Sequence, residues 1–196
     1  MINISKNPGP SAWNELLPER EPLPSLSSNL TSDWLIVGAG FAGLSAARRV
    51  QQEAPNDSIV ILDAQGLASG PAGRNSGFMI DLPHDLASDD YGGQIENDRE
   101  TITQNRYAIN FAKETVEALQ LPKECFKEIG KINGAATAKG MRHNHDYAKH
   151  LSKLGEKYEY LDANSMKDIT GTNYYKGGLF TPGTVMIKPA LYIRAL

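Results

Sequence analysis

The stretch Trp34–Leu44, WLIVGAGFAGL, constrains this chain more than any other. Four apolar residues, Trp34 to Val37, run straight into Gly38-Ala39-Gly40-Phe41-Ala42-Gly43, and a helix-favouring run from Leu44 to Val50 follows at once. That order spells a buried parallel strand, a tight turn and the opening of a helix. Each glycine has a physical task. Gly38 permits the turn off the strand, Gly40 leaves the backbone open to a pyrophosphate, and Gly43 lets the helix lie close on the sheet. The unpaired N–H groups of the first helical turn, at the positive end of the helix dipole, favour a phosphate.

With 18 glycines in 196 residues, the G-x-G-x-x-G spacing alone arises easily by chance. Its context adds weight. A second apolar strand, Ser58 to Leu62, ends in Asp63, 20 residues after Gly43. There a carboxylate can accept hydrogen bonds from an adenosine ribose. Two apolar strands joined by one helix form a right-handed parallel crossover. The expected fold class is α/β, with a Rossmann-like βαβ domain that holds a dinucleotide.

A hydrophobic content of 40% with 22% charged residues suits a globular chain. A net charge of −3 gives no electrostatic reason to expect a nucleic-acid partner. The single cysteine, Cys125, excludes an internal disulfide and reads as a small buried hydrophobe. No stretch approaches a membrane span, and no basic segment leads into an apolar signal core. The expected location is the cytoplasm.

Residues 1–32, with five prolines and many serines and asparagines, read as an extended arm that Trp13, Leu16 and Leu17 anchor at helical spacing. A helix is expected from about Gly40 to Glu53, with small Ala42, Ala46 and Ala47 against the sheet. The long glycine-rich stretch from Ala64 to Pro83 reads as a functional loop closing over an anion. Asn97 and Glu100 predict a capped helix start, continuing to about Leu119 with Ile102, Tyr107, Ala108, Phe111, Ala112, Thr115, Val116 and Leu119 on its core face. Strand, turn and strand are expected over Cys125–Ala138, and a helix over Ala138–Gly155. A short strand at Tyr158–Leu161 leads to a helical turn capped by Asp162. A hairpin is predicted around Thr181-Pro182-Gly183, between Gly177–Phe180 and Thr184–Ile187. Pro189 opens a last helix. That helix is cut off at Leu196, so the expectation is the front part of a longer protein. His143, His145 and His150 do not converge on one helical face, and no carboxylate completes a metal set, so a solvated face is expected and no metal.

Four elements resemble FAD-dependent oxidoreductases of the D-amino-acid oxidase family, which includes glycine and sarcosine oxidases, with the gamma-glutamylputrescine oxidase branch nearest. They are Asp33–Ala47, Ile61-Leu62-Asp63-Ala64, Gly73-Arg74-Asn75-Ser76-Gly77, and Tyr175–Leu179 through Ile187-Lys188-Pro189. Two positions depart from the pattern. Ala72 stands where the family often has serine, and Ile187-Lys188-Pro189 stands where the polyamine-oxidising branch often has a histidine beside the proline.

The resemblance implies FAD as cofactor, bound by Gly38, Ala39, Gly40, Phe41, Ala42, Gly43, Asp63 and Ala64, with Gly73, Arg74, Asn75, Ser76 and Gly77 as a flavin-facing loop. It implies four segments: the arm at 1–32, an FAD-binding part at 33–120, a partial α+β substrate domain at 121–188, and at 189–196 a helix returning to the FAD domain. It implies oxidation of a C–N bond in a small-molecule amine or amino acid, and a late family segment that closes over the flavin beyond Leu196. The residues themselves offer no acid–base pair or activated nucleophile. His84 and Asp85 are the only tempting candidates near the loop, and surface or structural hydrogen bonding is the better reading of them. Two alternatives stay open: a non-catalytic FAD-binding piece, and an NAD-dependent dehydrogenase using the same fingerprint.

Overall fold

The computed structural model describes residues 9–21, 23–83 and 95–196. Its contacts divide the chain into two compact units. One holds the chain up to Gly77 together with Leu119–Cys125 and Ile187–Leu196; the other holds Phe78–Ala118 and Phe126–Met186.

In the first unit, β1 (Trp34–Val37) and β2 (Ile59–Leu62) pair in parallel, with Trp34 opposite Ile59 and Val37 opposite Leu62. Between them runs α2 (Phe41–Glu53). Its buried residues are Leu44 and Ala47, whereas Ala42 and Ala46 are exposed. The sheet-facing stripe therefore follows the i, i+3 spacing of Leu44 rather than the run of alanines. The arm is not wholly extended. Ser11 caps a single helical turn, α1 (Ala12–Glu15), by accepting the Asn14 N–H. Trp13 and Leu17 pack against a core of Ala39, Leu44, Ala68, Ala190 and Ile193. Leu16, expected as an anchor, is exposed; a four-residue helix presents one narrow face, and Trp13 with Leu17 occupies it. Pro189 opens α6 (Pro189–Ala195), whose Arg194 donates to the Pro18 carbonyl at 2.8 Å.

In the second unit, β5 (Lys131–Ala135), β6 (Glu159–Asp162) and β7 (Gly177–Thr181) form an antiparallel sheet with β7 in the centre. A second sheet places β8 (Val185–Ile187) between β3 (Phe78–Met79) and β4 (Phe126–Glu128). The predicted hairpin of β7 with β8 is thus not formed. Both edges of β7 are taken by β5 and β6, so the Thr181-Pro182-Gly183 turn carries the chain from one sheet to the other. Local turn chemistry reversed the chain, and long-range partners decided the pairing.

Two long helices pack in this unit, α3 (Ile95–Ala118) and α4 (Ala138–Leu154). The predicted cap at Asn97 is overturned, because α3 is already helical at Ile95 and Asn97 lies inside its first turn. Its buried stripe is Ile102, Ile109, Ala112, Thr115 and Val116, while Tyr107, Ala108 and Phe111 face out. Ile109 continues the i, i+7 row from Ile102 that Tyr107 and Ala108 break. Asp162 caps α5 (Ala163–Thr170) by accepting the Ser165 N–H. The core is Leu82, Ile102, Tyr147, Ala148, Leu151 and Leu179.

The three histidines do not share a solvated face. His150 is buried, with Nε2 2.7 Å from Asp98 Oδ2, His143 is half-buried, and only His145 is exposed. Position 150 sits three residues beyond Tyr147, on the buried stripe of α4. No group of His, Cys, Asp and Glu among the described residues could hold a metal ion. Among them, too, no helix is long and apolar enough to cross a membrane.

Candidate dinucleotide site

The first βα turn is shaped by three glycines under three different constraints. Gly38 has φ +103°, a conformation that L side chains rarely adopt. Its N–H donates to the Leu62 carbonyl at 2.7 Å, extending the ladder as the chain leaves β1. Gly43 is fixed by space, since a Cβ there would overlap the Gly38 carbonyl oxygen and crowd Ile36. Gly40 is different. Its backbone is extended at φ −89°, and a Cβ would meet only the Ala72 methyl at an ordinary 3.8 Å. The chain's own packing gives no reason for glycine at position 40; close approach of a ligand to the backbone does.

Gly40 is also the N-cap of α2 and offers no side-chain cap to the helix start. The first-turn N–H groups, from Phe41, Ala42 and Gly43, have no intrahelical acceptor, and the dipole adds partial positive charge. Ala39 is buried and Phe41 half-buried, with the Phe41 ring 6.0 Å from that of Tyr192. Asp63 and Ala64 are exposed at the end of β2. Asp63 Oδ2 accepts the Ala39 N–H at 2.7 Å, and Oδ1 accepts the Gln65 N–H at 2.8 Å. A carboxylate has about four acceptor positions, so half of this one's capacity is left for a ribose hydroxyl. An uncapped helix start, an unencumbered Gly40 and an acceptor beside the turn together fit the phosphate and ribose of a dinucleotide.

The glycine-rich loop lies beside this turn, with Ala72 the neighbour that a Cβ at Gly40 would touch. A 3-10 turn spans Pro71–Gly73, and Gly73 is buried against the Ala68 carbonyl with no room for a side chain. Arg74 is half-buried; its Nε donates to the Ser69 carbonyl at 2.7 Å and its Nη2 to the Gly9 carbonyl. Asn75 is exposed and bound on both sides. Nδ2 donates to the Ala72 carbonyl at 2.8 Å, and Oδ1 accepts the Gly77 N–H at 2.8 Å. Ser76 is exposed. Gly77 is buried and accepts the Ile187 N–H at its carbonyl, 2.8 Å away. Trp13 Nε1 donates to the Asn75 carbonyl at 2.8 Å. The polar side chains of the loop thus set its own backbone shape, a part that sequence reasoning did not assign to them. The only signal for it was the Asn75-to-Gly77 spacing of an Asx turn. His84 and Asp85 lie outside the described residues.

Comparison with known proteins agrees with this architecture. The family described as DAO, FAD dependent oxidoreductase, matches residues 33–196. The chain is 26% identical over 172 residues to gamma-glutamylputrescine oxidoreductase of Escherichia coli (strain K12), covering 86% of this chain and 39% of that protein. It is 23% identical over 202 residues to the probable oxidoreductase OrdL of Rhizobium meliloti (strain 1021), covering 97% of this chain and 44% of the relative. Among solved structures, glycine oxidase from Geobacillus kaustophilus shares the fold with a TM-score of 0.64 at 17% identity, over 84% of this chain and 42% of that one. The chain spans about two fifths of the length of the curated relatives it matches.

Proposed function

The chain belongs to the FAD dependent oxidoreductase family, and from that membership we propose that it supplies the dinucleotide-holding part of an enzyme that oxidises a C–N bond of a small amine or amino acid. Support for the substrate class comes from relatives named for gamma-glutamylputrescine and glycine. Support for the cofactor comes from this chain's own turn, and Gly40 carries it, because no neighbouring atom of the chain excludes a Cβ there.

In this reading the first-turn N–H groups of α2 hold the pyrophosphate, with Ala39, Phe41 and Ala42 forming the sides of the cradle. The free acceptor positions of Asp63, next to Ala64, orient the ribose. The loop from Gly73 to Gly77 faces the flavin end, its shape fixed by Asn75 and Arg74 and its exposed Ser76 turned to solvent or ligand. Bound FAD would supply the two-electron acceptor for the hydride that leaves the amine-bearing carbon, after which water hydrolyses the imine and oxygen or another acceptor restores the cofactor. The segments divide accordingly: the arm at 1–32 braces an FAD-binding part that takes in 33–77, Leu119–Cys125 and Ile187–Leu196, rather than all of 33–120, and Phe78–Ala118 joins Phe126–Met186 as the beginning of the substrate domain.

Anaerobic mixing of flavin-loaded protein with a panel of small amines and amino acids tests the reaction. Bleaching of the flavin absorbance is expected with at least one of them. Absence of bleaching across the panel, with reduction of NAD instead, would replace this reading by the nicotinamide-dependent one.

A further inference from the structure

The second unit contains a cavity of about 690 Å³ whose wall includes Ile80, Leu82, Pro83, Lys131, Asn133 and Asn144. That volume lies in the range of small-molecule sites. Lys131 and Asn133 are two apart on β5, so their side chains leave the same face of the sheet. Lys131 is half-buried and forms no ion pair among the described residues; its Nζ lies 5.8 Å from the centre of the Tyr147 ring. Burial pushes its ammonium pKa down, partly offset by the negative charge of Asp81. The Asn133 amide nitrogen is buried and has no acceptor among the described residues. Leaving such a donor unpaired is costly, and buried donors ordinarily have a partner. The neighbouring Asn144 turns its amide nitrogen to the Asn133 backbone carbonyl, to which it donates at 2.7 Å.

We propose that this cavity binds a small monocarboxylate, whose oxygens accept from Lys131 Nζ and Asn133 Nδ2 and whose apolar body lies against Ile80, Leu82 and Pro83. Both unspent groups are donors, so the ligand presents acceptors. Lys131 is the one Lys or Arg among the described residues of the wall, and Asp81 lends a negative potential nearby, so a single negative charge matches better than the two of a phosphate monoester. Ile80, Leu82 and Pro83 give the wall an aliphatic patch, which suits a carboxylate carrying hydrocarbon. The site stands on the second unit alone and needs no flavin, so its failure and that of the FAD reading are separable.

Calorimetric titration with hexanoate, hexylamine and hexyl phosphate at neutral pH tests it. Hexanoate should bind saturably and more tightly than either analogue. Lys131→Met should weaken hexanoate by about tenfold or more, the range of a charge-assisted hydrogen bond, while Lys131→Arg should retain it. Asn133→Asp, which sets a negative charge against the ligand, should abolish binding and decides the matter if Lys131→Met does not fold. Equal affinity in wild type and the folded variants, tighter binding of hexyl phosphate, or no saturable heat with hexanoate would overturn the proposal.

Discussion

Asp63 Oδ2 accepts the Ala39 N–H at 2.7 Å, so the carboxylate that ends β2 holds the glycine turn that follows β1. One side chain thereby joins the two strands' ends at the point where a dinucleotide is expected to lie. Asp63→Ala should destabilise the free protein by about 1 kcal/mol and weaken FAD as well. Urea unfolding without flavin isolates the first effect. An unchanged midpoint would mean that the Asp63–Ala39 bond adds nothing to the turn.

Gly43 packs where a Cβ would overlap the Gly38 carbonyl. Gly43→Ala must shift the helix off the sheet, and a loss of about 3 kcal/mol or failure to fold is expected. A thermal melt within a few degrees of wild type would show that the turn is far more pliant than its geometry implies.

Asp81 is 1% exposed, and its Oδ2 receives Arg106 Nη2 at 3.0 Å; the same guanidinium reaches Glu156 Oε2 at 2.6 Å. Hydrogen bonding to Glu156 is the first cause that holds the Arg106 pKa up. Arg106→Met would strand a buried carboxylate, at about 3 kcal/mol or more. Adding Asp81→Asn should recover part of that loss, because the uncompensated charge is then gone. Additive losses in a double-mutant cycle would contradict the coupling.

Some of this was legible from the residues and some was not, and the division has a physical cause. The βαβ turn was readable because Gly38, Gly40, Gly43 and Asp63 interact within one local crossover. Asp162 and Pro189 were readable because caps and first-turn prolines act over three or four residues. The β7–β8 hairpin failed because β5, 42 or more residues upstream, competes for the same edge of β7. The buried place of His150 depended on Asp98, 52 residues away. Arg74 and Asn75 drew attention as ligand groups, yet their hydrogen bonds run to backbone carbonyls whose positions only the folded loop defines.

Asp33 accepts the N–H and hydroxyl of Ser58 at 2.8 and 2.7 Å, and the hydroxyl bond is the first cause lowering its pKa from the ordinary 3.8. A carboxyl with a depressed folded-state pKa contributes fully above its unfolded value and loses that contribution as pH falls through the folded one. Asp33→Asn should therefore flatten the acid limb of stability below about pH 4. Unfolding midpoints from pH 5 downwards check it; parallel acid limbs in the two proteins would contradict it.

In the proposed reading the first βα turn holds a dinucleotide by close backbone approach at Gly40. Titration of wild type and Gly40→Val with FAD, and with ADP as its phosphate-bearing half, tests it most directly. A Cβ there meets only Ala72, so the stability loss should be confined to the poorer N-cap, about 1 kcal/mol, while both ligands lose about tenfold or more in affinity. Equal affinities for the two folded proteins would rule out close backbone approach at Gly40.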